Sequence, residues 1–245
     1  MARLTKEARG RAAEYFAEAV TSGNTLAPFP PELAPRTTTE GARIAERLLA
    51  TLGLAPVGVR LAPAPAALGG ALVAGPVLGH RLLQSPTAMP PFHRVVATAA
   101  IVAQLGKPLP ARERRYGLRH VIARIATLHP AIDVAASRFS AGAPDLPCHL
   151  ADLCGLGVVV FGRQARAGWQ EAIATPRTVR ASGAADWRGT VDVGAALLDA
   201  AEAAREAGGL PAGAVLVIAG LSPPLGEGEV TVSITSLGSA ALAAG

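Results

Sequence analysis

The chain begins with two stretches whose apolar residues recur every three or four positions. In residues 4–22 this spacing predicts a helix that Gly23 ends. Residues 37–53 repeat the pattern, with Thr37 placed as an N-cap and Gly53 as a C-terminal stop. The sequence therefore predicts a pair of amphipathic helices at the N-terminus.

From residue 54 onward the pattern changes to short apolar runs separated by glycine and proline, which is typical of strands. Helical spacing returns at 115–128 and 191–209. Strands are predicted at 56–62, 70–83, 94–103, 129–139, 155–162, 176–183, 214–220 and 229–242. We predict an N-terminal helical segment over 1–53 and one mixed α/β domain with a bent or rolled sheet over 54–245.

Composition narrows the class of protein. Half of the 245 residues are hydrophobic and 17% are charged, which supports a large apolar core. The formal charge of +5 comes from scattered basic residues, and no dense basic stripe predicts a nucleic-acid surface. No apolar run reaches the length of a membrane helix, no signal peptide is visible, and two cysteines make no disulfide framework. We expect a cytoplasmic protein without nucleic-acid or membrane partners.

Four stretches, taken in order, carry a family resemblance. They are TTTEGARIAERLLATLGLAPVGVRLA (37–62), HRVVATAAIVAQLGKPLP (93–110), LHPAIDVAASRF (128–139) and the C-terminal region 194–242. Their order is similar to that of the 2-keto-4-pentenoate hydratase / 4-oxalocrotonate decarboxylase family, within the fumarylacetoacetate hydrolase superfamily. The resemblance implies a twisted β-roll with flanking helices that assembles as a homo-oligomer, or as a hetero-oligomer with an intact relative.

The resemblance also implies a metal site, and this sequence departs from it. Relatives hold magnesium or manganese with two glutamates of an E-x-E strand and a third carboxylate, and the metal binds a 2-keto acid. Those positions fall on Val96, Thr98 and Asp133, and no acidic residue lies anywhere between 93 and 110. Because a hard dication needs anionic oxygen ligands, one carboxylate is too few, and we expect no metal cofactor.

Candidate replacement groups remain in the same regions. The family's lysine falls on Arg60, which with Arg94 and Thr98 is expected to bind a small anion in a basic pocket. His80 and Asp133 are candidate proton-transfer groups. Each has a simpler interpretation: His80 as a surface residue, Asp133 as the partner of Arg60, and Arg94 as part of a structural ion pair.

The segment CHLADLC (148–154) contains two thiols and a histidine. A zinc site needs a second pair of ligands, which the sequence lacks. On a strand, Cys148 and His149 would point to opposite faces, so a nucleophile–base pair is not expected there. Asp152 is retained from a polar segment of the family whose amide and hydroxyl are replaced.

Two functional hypotheses follow from these residues. In the first, the chain is a degenerate hydratase-like protein without metal-dependent 2-keto acid chemistry, which keeps a small anionic-ligand pocket or serves as a partner subunit. In the second, it is an active, diverged lyase, a hydratase or decarboxylase that works without metal on a small 2-keto acid or another enolisable compound.

Overall fold

The computed structural model describes residues 3–226 and 228–244 of the chain, which begins with the two predicted helices. These are α1 (Lys6–Ser22) and α2 (Thr38–Leu52), and they pack against each other through one apolar cluster. Phe139 belongs to this cluster and comes from the remainder of the chain. The helical segment therefore shares a core with the following residues. The division at residue 53 stays a prediction.

A buried carboxylate fixes the start of α1 to the start of α2. Glu40 accepts hydrogen bonds from the backbone N–H groups of Arg36 and Leu4, both at 2.9 Å. These bonds lower the pKa of Glu40, because they favour its charged form. The N-cap of α2 is the predicted one, since Thr37 Oγ1 accepts the Glu40 N–H.

The four later helices that the structure describes are shorter than the N-terminal pair. They are α3 (Leu118–Ile122), α4 (Leu146–Ala151), α5 (Trp169–Ala172) and α6 (Val193–Glu206). The prediction of a helix over 115–128 holds only for Leu118–Ile122. Residues 115–117 precede this helix, and residues from Ile125 onward pair with a neighbouring strand instead. No helix in the described ranges is long and apolar enough to cross a membrane.

The described residues contain fourteen β-strands. They are β1 (Pro56–Pro63), β2 (Leu72–Leu78), β3 (Leu82–Gln84), β4 (Thr87–Ala88), β5 (Val95–Leu105), β6 (Leu109–Pro110), β7 (Ile125–Ala136), β8 (Leu156–Phe161), β9 (Arg177–Ser182), β10 (Trp187–Val191), β11 (Gly209–Leu210), β12 (Val215–Ile218), β13 (Val230–Ile234) and β14 (Gly238–Ala243).

The strands form two large mixed sheets and one small one. The first sheet has the order β2-β1-β12-β5-β7-β8-β3, the second has the order β10-β9-β13-β14-β4, and β6 pairs with β11. Apolar side chains of both large sheets and of α6 meet in one core. The predicted mixed α/β class is confirmed.

Two predicted strands are interrupted by turns. The predicted strand 229–242 is the hairpin of β13 and β14, with positive φ angles of 68° at Ser236 and 113° at Gly238. A short 3-10 turn at Gly79–Arg81 separates β2 from β3. In both cases apolar residues lie on either side of the turn, so the hydrophobic pattern alone predicted one strand.

Candidate functional site

A cavity of about 360 Å³ lies over the middle of the seven-stranded sheet, beside β1, β5 and β7. Alanine, proline and valine side chains supply most of its wall. The side chains with polar or sulfur atoms that line it are Arg60, Thr98, Asp133, His149, Cys154 and Ser222. Three of the residues singled out from the sequence, Arg60, Thr98 and Asp133, therefore meet in one place.

The floor of the cavity is an ion pair between Arg60 and Asp133. Arg60 donates from Nε to Asp133 Oδ1 and from Nη2 to Oδ2, both at 2.6 Å. Its Nη1 donates to the Cys154 carbonyl at 2.9 Å, and only 2% of the residue is exposed. Burial alone lowers the pKa of Arg60, but the adjacent Asp133 carboxylate outweighs it and the pKa is raised. The pairing that the sequence offered as the simpler interpretation of Asp133 is present.

Strand pairing explains where these side chains lie. Asp133 on β7 is directly opposite Thr98 on β5, and Val96 is opposite Ala135. Thr98 Oγ1 accepts the N–H of Gly220 at 3.1 Å, while Val96 is 42% exposed at the side of the cavity. The three positions that the resemblance assigns to metal ligands are thus neighbours in the sheet.

These residues do not fit a divalent cation. Both Asp133 oxygens are held by Arg60, a valine offers no ligand, and the Thr98 oxygen is neutral. In the described ranges no group of three or more His, Cys, Asp or Glu residues could hold a metal ion. The expectation that the chain carries no metal cofactor stays a prediction.

His149 lines the cavity and was not among the site residues predicted from the sequence. It lies on helix α4 rather than on a strand, since Asp145 caps the helix by accepting the Cys148 N–H and Pro147 occupies the first turn. His149 is 5% exposed, and burial, followed by the charge of Arg60, lowers its pKa to about 4. Its ring is therefore neutral at neutral pH. An Asp-x-Pro start is a helix signal that could have been read from the sequence.

A left-handed turn brings Cys154 to the cavity. Leu153, Cys154 and Gly155 have successive φ angles of 51°, 55° and 65°. Left-handed backbone is unfavourable for the two residues with a Cβ atom, so the surrounding structure must hold it. The turn directs the Cys154 carbonyl to Arg60 and the thiol to the Ala74 carbonyl, at 3.3 Å. Burial raises the pKa of Cys154 to about 11, which keeps the thiol protonated.

A second buried ion pair lies behind this turn. Asp152 is fully buried, and its Oδ2 accepts the backbone N–H of Arg138 at 2.9 Å and the hydroxyl of Ser137 at 3.2 Å. Oδ1 lies 3.3 Å from Arg138 Nη1 but has no aligned hydrogen bond to a described residue. Burial raises the pKa of Asp152 to about 6, although Arg138 opposes that shift.

Two residues predicted for the site lie elsewhere. His80 is exposed in a 3-10 turn, where its Nε2 accepts from Arg81 Nε at 3.1 Å, and its pKa is lowered by burial and by Arg81. Arg94 is exposed at the start of β5 and forms no ion pair with a described residue. Neither lines the cavity, and Arg60 is compensated by Asp133, so the expectation of a basic pocket is wrong.

Comparison with known proteins shows the fold alone. No family model matches the chain, and no curated protein matches it. The structure of 4-oxalocrotonate decarboxylase from Pseudomonas putida G7 complexed with magnesium and adipate is similar, with a TM-score of 0.79 at 20% identity, covering 99% of this chain and 100% of that one. The same enzyme complexed with calcium and acetate gives a TM-score of 0.77 at 20% identity, with coverages of 99% and 100%.

A further solved structure is similar to a smaller part of the chain. A probable 2-hydroxyhepta-2,4-diene-1,7-dioate isomerase from Mycobacterium abscessus has a TM-score of 0.52 at 16% identity, and the match covers 76% of this chain and 74% of that one. The chain has the fold of the fumarylacetoacetate hydrolase superfamily, and the fold implied by the sequence resemblance is confirmed.

Proposed function

We propose that this chain is a degenerate hydratase-like protein that binds a small organic molecule and has lost metal-dependent 2-keto acid chemistry. The observation that supports the proposal is the ion pair of Arg60 and Asp133. The one carboxylate left of the implied metal site has both oxygens occupied by a guanidinium. A dication would have to displace that guanidinium and leave it buried without its counter-charge, at a cost of several kcal/mol.

Metal titration tests the first part of this proposal. Magnesium or manganese added to the purified chain should give no calorimetric binding below millimolar concentration and no rise in melting temperature. A matched gain-of-ligand variant, Val96→Glu/Thr98→Glu/Arg60→Lys, restores the charges and frees Asp133, so it should bind manganese more tightly. Saturable binding of either metal to the natural chain below millimolar concentration would overturn the proposal.

Turnover assays test the second part. The chain should hydrate 2-hydroxypentadienoate and decarboxylate an oxalocrotonate analogue no faster than buffer does, with or without magnesium. Magnesium-dependent loss of the dienoate absorbance, absent in Asp133→Ala, would overturn the loss of metal-dependent chemistry. The assay needs no knowledge of the natural ligand.

A second candidate function is a metal-independent lyase acting on a small enolisable compound. It is favoured by His149, a neutral imidazole in the cavity whose low pKa leaves a nitrogen available as a proton acceptor. The test is turnover of the same substrates in the presence of a chelator. Turnover that is lost in His149→Leu but kept in His80→Ala would support this alternative. Loss in His80→Ala would contradict it, since His80 lies outside the cavity.

A role as a partner subunit, in a homo-oligomer or with an intact relative, is also part of this proposal. Light scattering of the isolated chain and co-purification with an E-x-E relative would test it, and a monomer without a co-purifying relative would contradict it. The cytoplasmic location stays a prediction.

A further inference from the structure

Some polar groups in the cavity already form their hydrogen bonds within the protein, and others do not. Arg60 and Asp133 satisfy each other, and Ser222 Oγ accepts the Ala99 N–H and donates to the Pro223 carbonyl. Among the described residues, these groups therefore leave little capacity for a ligand.

Two groups in the same cavity do have unused capacity. Thr98 Oγ1 accepts from Gly220, but its hydroxyl hydrogen is donated to no described residue. Neither ring nitrogen of His149 is hydrogen-bonded to a described residue, and Nε2 is buried. Leaving a buried polar group unpaired is unfavourable, so a ligand that hydrogen-bonds to it is stabilised. The cavity thus offers a hydroxyl donor and a neutral imidazole, which both donates and accepts.

The charge of the cavity excludes a carboxylate as the preferred group. Arg60 is the only lysine or arginine among the lining residues, and Asp133 neutralises it. His149 adds no charge at neutral pH because its pKa is lowered to about 4. An anion in this cavity would be buried without a compensating cation, which is strongly unfavourable.

The size and wall of the cavity limit the rest of the ligand. A volume of about 360 Å³ equals about twelve times the ~30 Å³ that one water molecule occupies in the liquid. The wall is built mainly from residues such as Ala62, Pro63 and Ala135, which contribute carbon atoms. A mostly hydrocarbon molecule of roughly a dozen non-hydrogen atoms would fill it and gain from apolar burial.

We propose that the cavity binds a small, uncharged and mainly hydrocarbon hydroxyl compound, an alcohol or phenol, whose hydroxyl is hydrogen-bonded by His149 and Thr98. The hydroxyl accepts from one of these groups and donates to the imidazole, which matches the capacity that the cavity leaves unused. The inference rests on the proposed function, because an uncharged ligand fits only where no metal holds an acid.

A matched set of probes tests the ligand class. The probes are 4-phenylbutan-1-ol, 4-phenylbutanoate and butylbenzene, which share one hydrocarbon skeleton and differ in the terminal group, together with adipate. Affinities are measured by ligand-observed NMR and by thermal shift at pH 7 in a chelator. The alcohol should bind at least tenfold more tightly than either carboxylate, and several-fold more tightly than butylbenzene.

Variants show whether the polar groups act as proposed. His149→Leu should remove the preference for the alcohol over butylbenzene, while His149→Gln, which keeps a donor and an acceptor, should retain most of it. Thr98→Val should reduce the preference several-fold, and His80→Ala, outside the cavity, should leave it unchanged. If His149→Leu fails to fold, the preference for the alcohol over butylbenzene is compared between His149→Gln and Thr98→Val. A preference that is kept in His149→Gln and reduced in Thr98→Val supports the inference.

Three outcomes would overturn the inference: tighter binding of a carboxylate than of the alcohol in the chelator, a preference for the alcohol that is the same in the natural chain, in His149→Leu and in Thr98→Val, or no binding of any probe. Carboxylate binding that appears only after magnesium is added would instead overturn the proposed function. The two failures are therefore distinguishable.

Discussion

The described residues include two buried arginine–aspartate pairs, and the geometries of these pairs differ. Arg60 and Asp133 are joined by two aligned hydrogen bonds of 2.6 Å, so both carboxylate oxygens are used. Arg138 approaches Asp152 at 3.3 Å without alignment, and Oδ1 has no hydrogen-bond partner among the described residues. Burial accordingly raises the pKa of Asp152 to about 6.

The difference follows from where each pair lies in the chain. Arg60 and Asp133 are 73 residues apart, and strands β1 and β7 hold them facing each other across the sheet. Arg138 and Asp152 are 14 residues apart, and the tight turn after α4 limits how they meet. A rigid sheet thus supports the saturated pair. Since that pair lines the cavity, its saturation leaves no free charge there for a ligand or a metal.

Breaking the saturated pair, Arg60 and Asp133, should have the largest effect on the free energy of unfolding. In Asp133→Asn the guanidinium of Arg60 stays buried but loses its counter-charge, so we expect a loss of about 3–5 kcal/mol in the free energy of unfolding. Urea denaturation of the natural chain and of the variant measures the loss. A loss under 1 kcal/mol would show that the pair is not desolvated as the structure places it.

The matched control removes both charges at once. Arg60→Met/Asp133→Leu replaces the pair by apolar side chains, and such replacements are often neutral or stabilising. We expect the double variant to be more stable than Asp133→Asn by several kcal/mol. If both variants lose the same free energy, the effect comes from packing and not from the unpaired charge.

Asp152→Asn should have a smaller, pH-dependent effect. The pKa of Asp152 is about 6 in the folded chain and about 3.9 in an unfolded one, so between these values the folded state binds more protons. The stability of the natural chain, relative to the variant, should therefore fall as pH rises from about 4 to about 6. The full change is at most about 3 kcal/mol, from 1.36 kcal/mol per pKa unit.

The contribution of the other titrating groups to the pH dependence of stability cancels when the natural chain is compared with Asp152→Asn. The difference in unfolding free energy, measured in urea at several pH values, should be flat above pH 7. A difference that grows in favour of the natural chain with rising pH would mean that Arg138 stabilises the charged carboxylate more than burial opposes it.

The sequence indicates that Arg60 and Asp133 could form a pair. A charged residue in an apolar strand needs a partner, and Asp133 in AIDVAA and Arg60 in VGVRLA both lie within such runs. The sequence could not decide whether Asp133 is paired, because that depends on the register of β5 and β7 and on β12 lying between β1 and β5. Those pairings are long-range and leave no local pattern.

Local patterns were misread where tertiary pairing overrides them. The spacing over 115–128 fits a helix, but Ile125 and Leu128 are buried as part of β7, where pairing with β5 decides the backbone. His149 was missed for a related reason: assigned to a strand, it had no role, while helix α4 turns it into the cavity. The short helix is signalled only by Asp145 and Pro147.

Ser137→Ala should have the smallest effect and sharpens the contrast between the pairs. Ser137 Oγ donates to Asp152 Oδ2 and accepts the Phe139 N–H, both at 3.2 Å, so its removal should lower stability by about 1 kcal/mol at neutral pH. Because that donated bond favours the charged carboxylate, the pKa of Asp152 should rise further, and the fall in stability should extend above pH 6. Ser140→Ala is the matched control, since Ser140 is exposed and makes no side-chain hydrogen bond to a described residue. An unchanged pH window in Ser137→Ala would mean that Asp152 is controlled by burial and Arg138 alone.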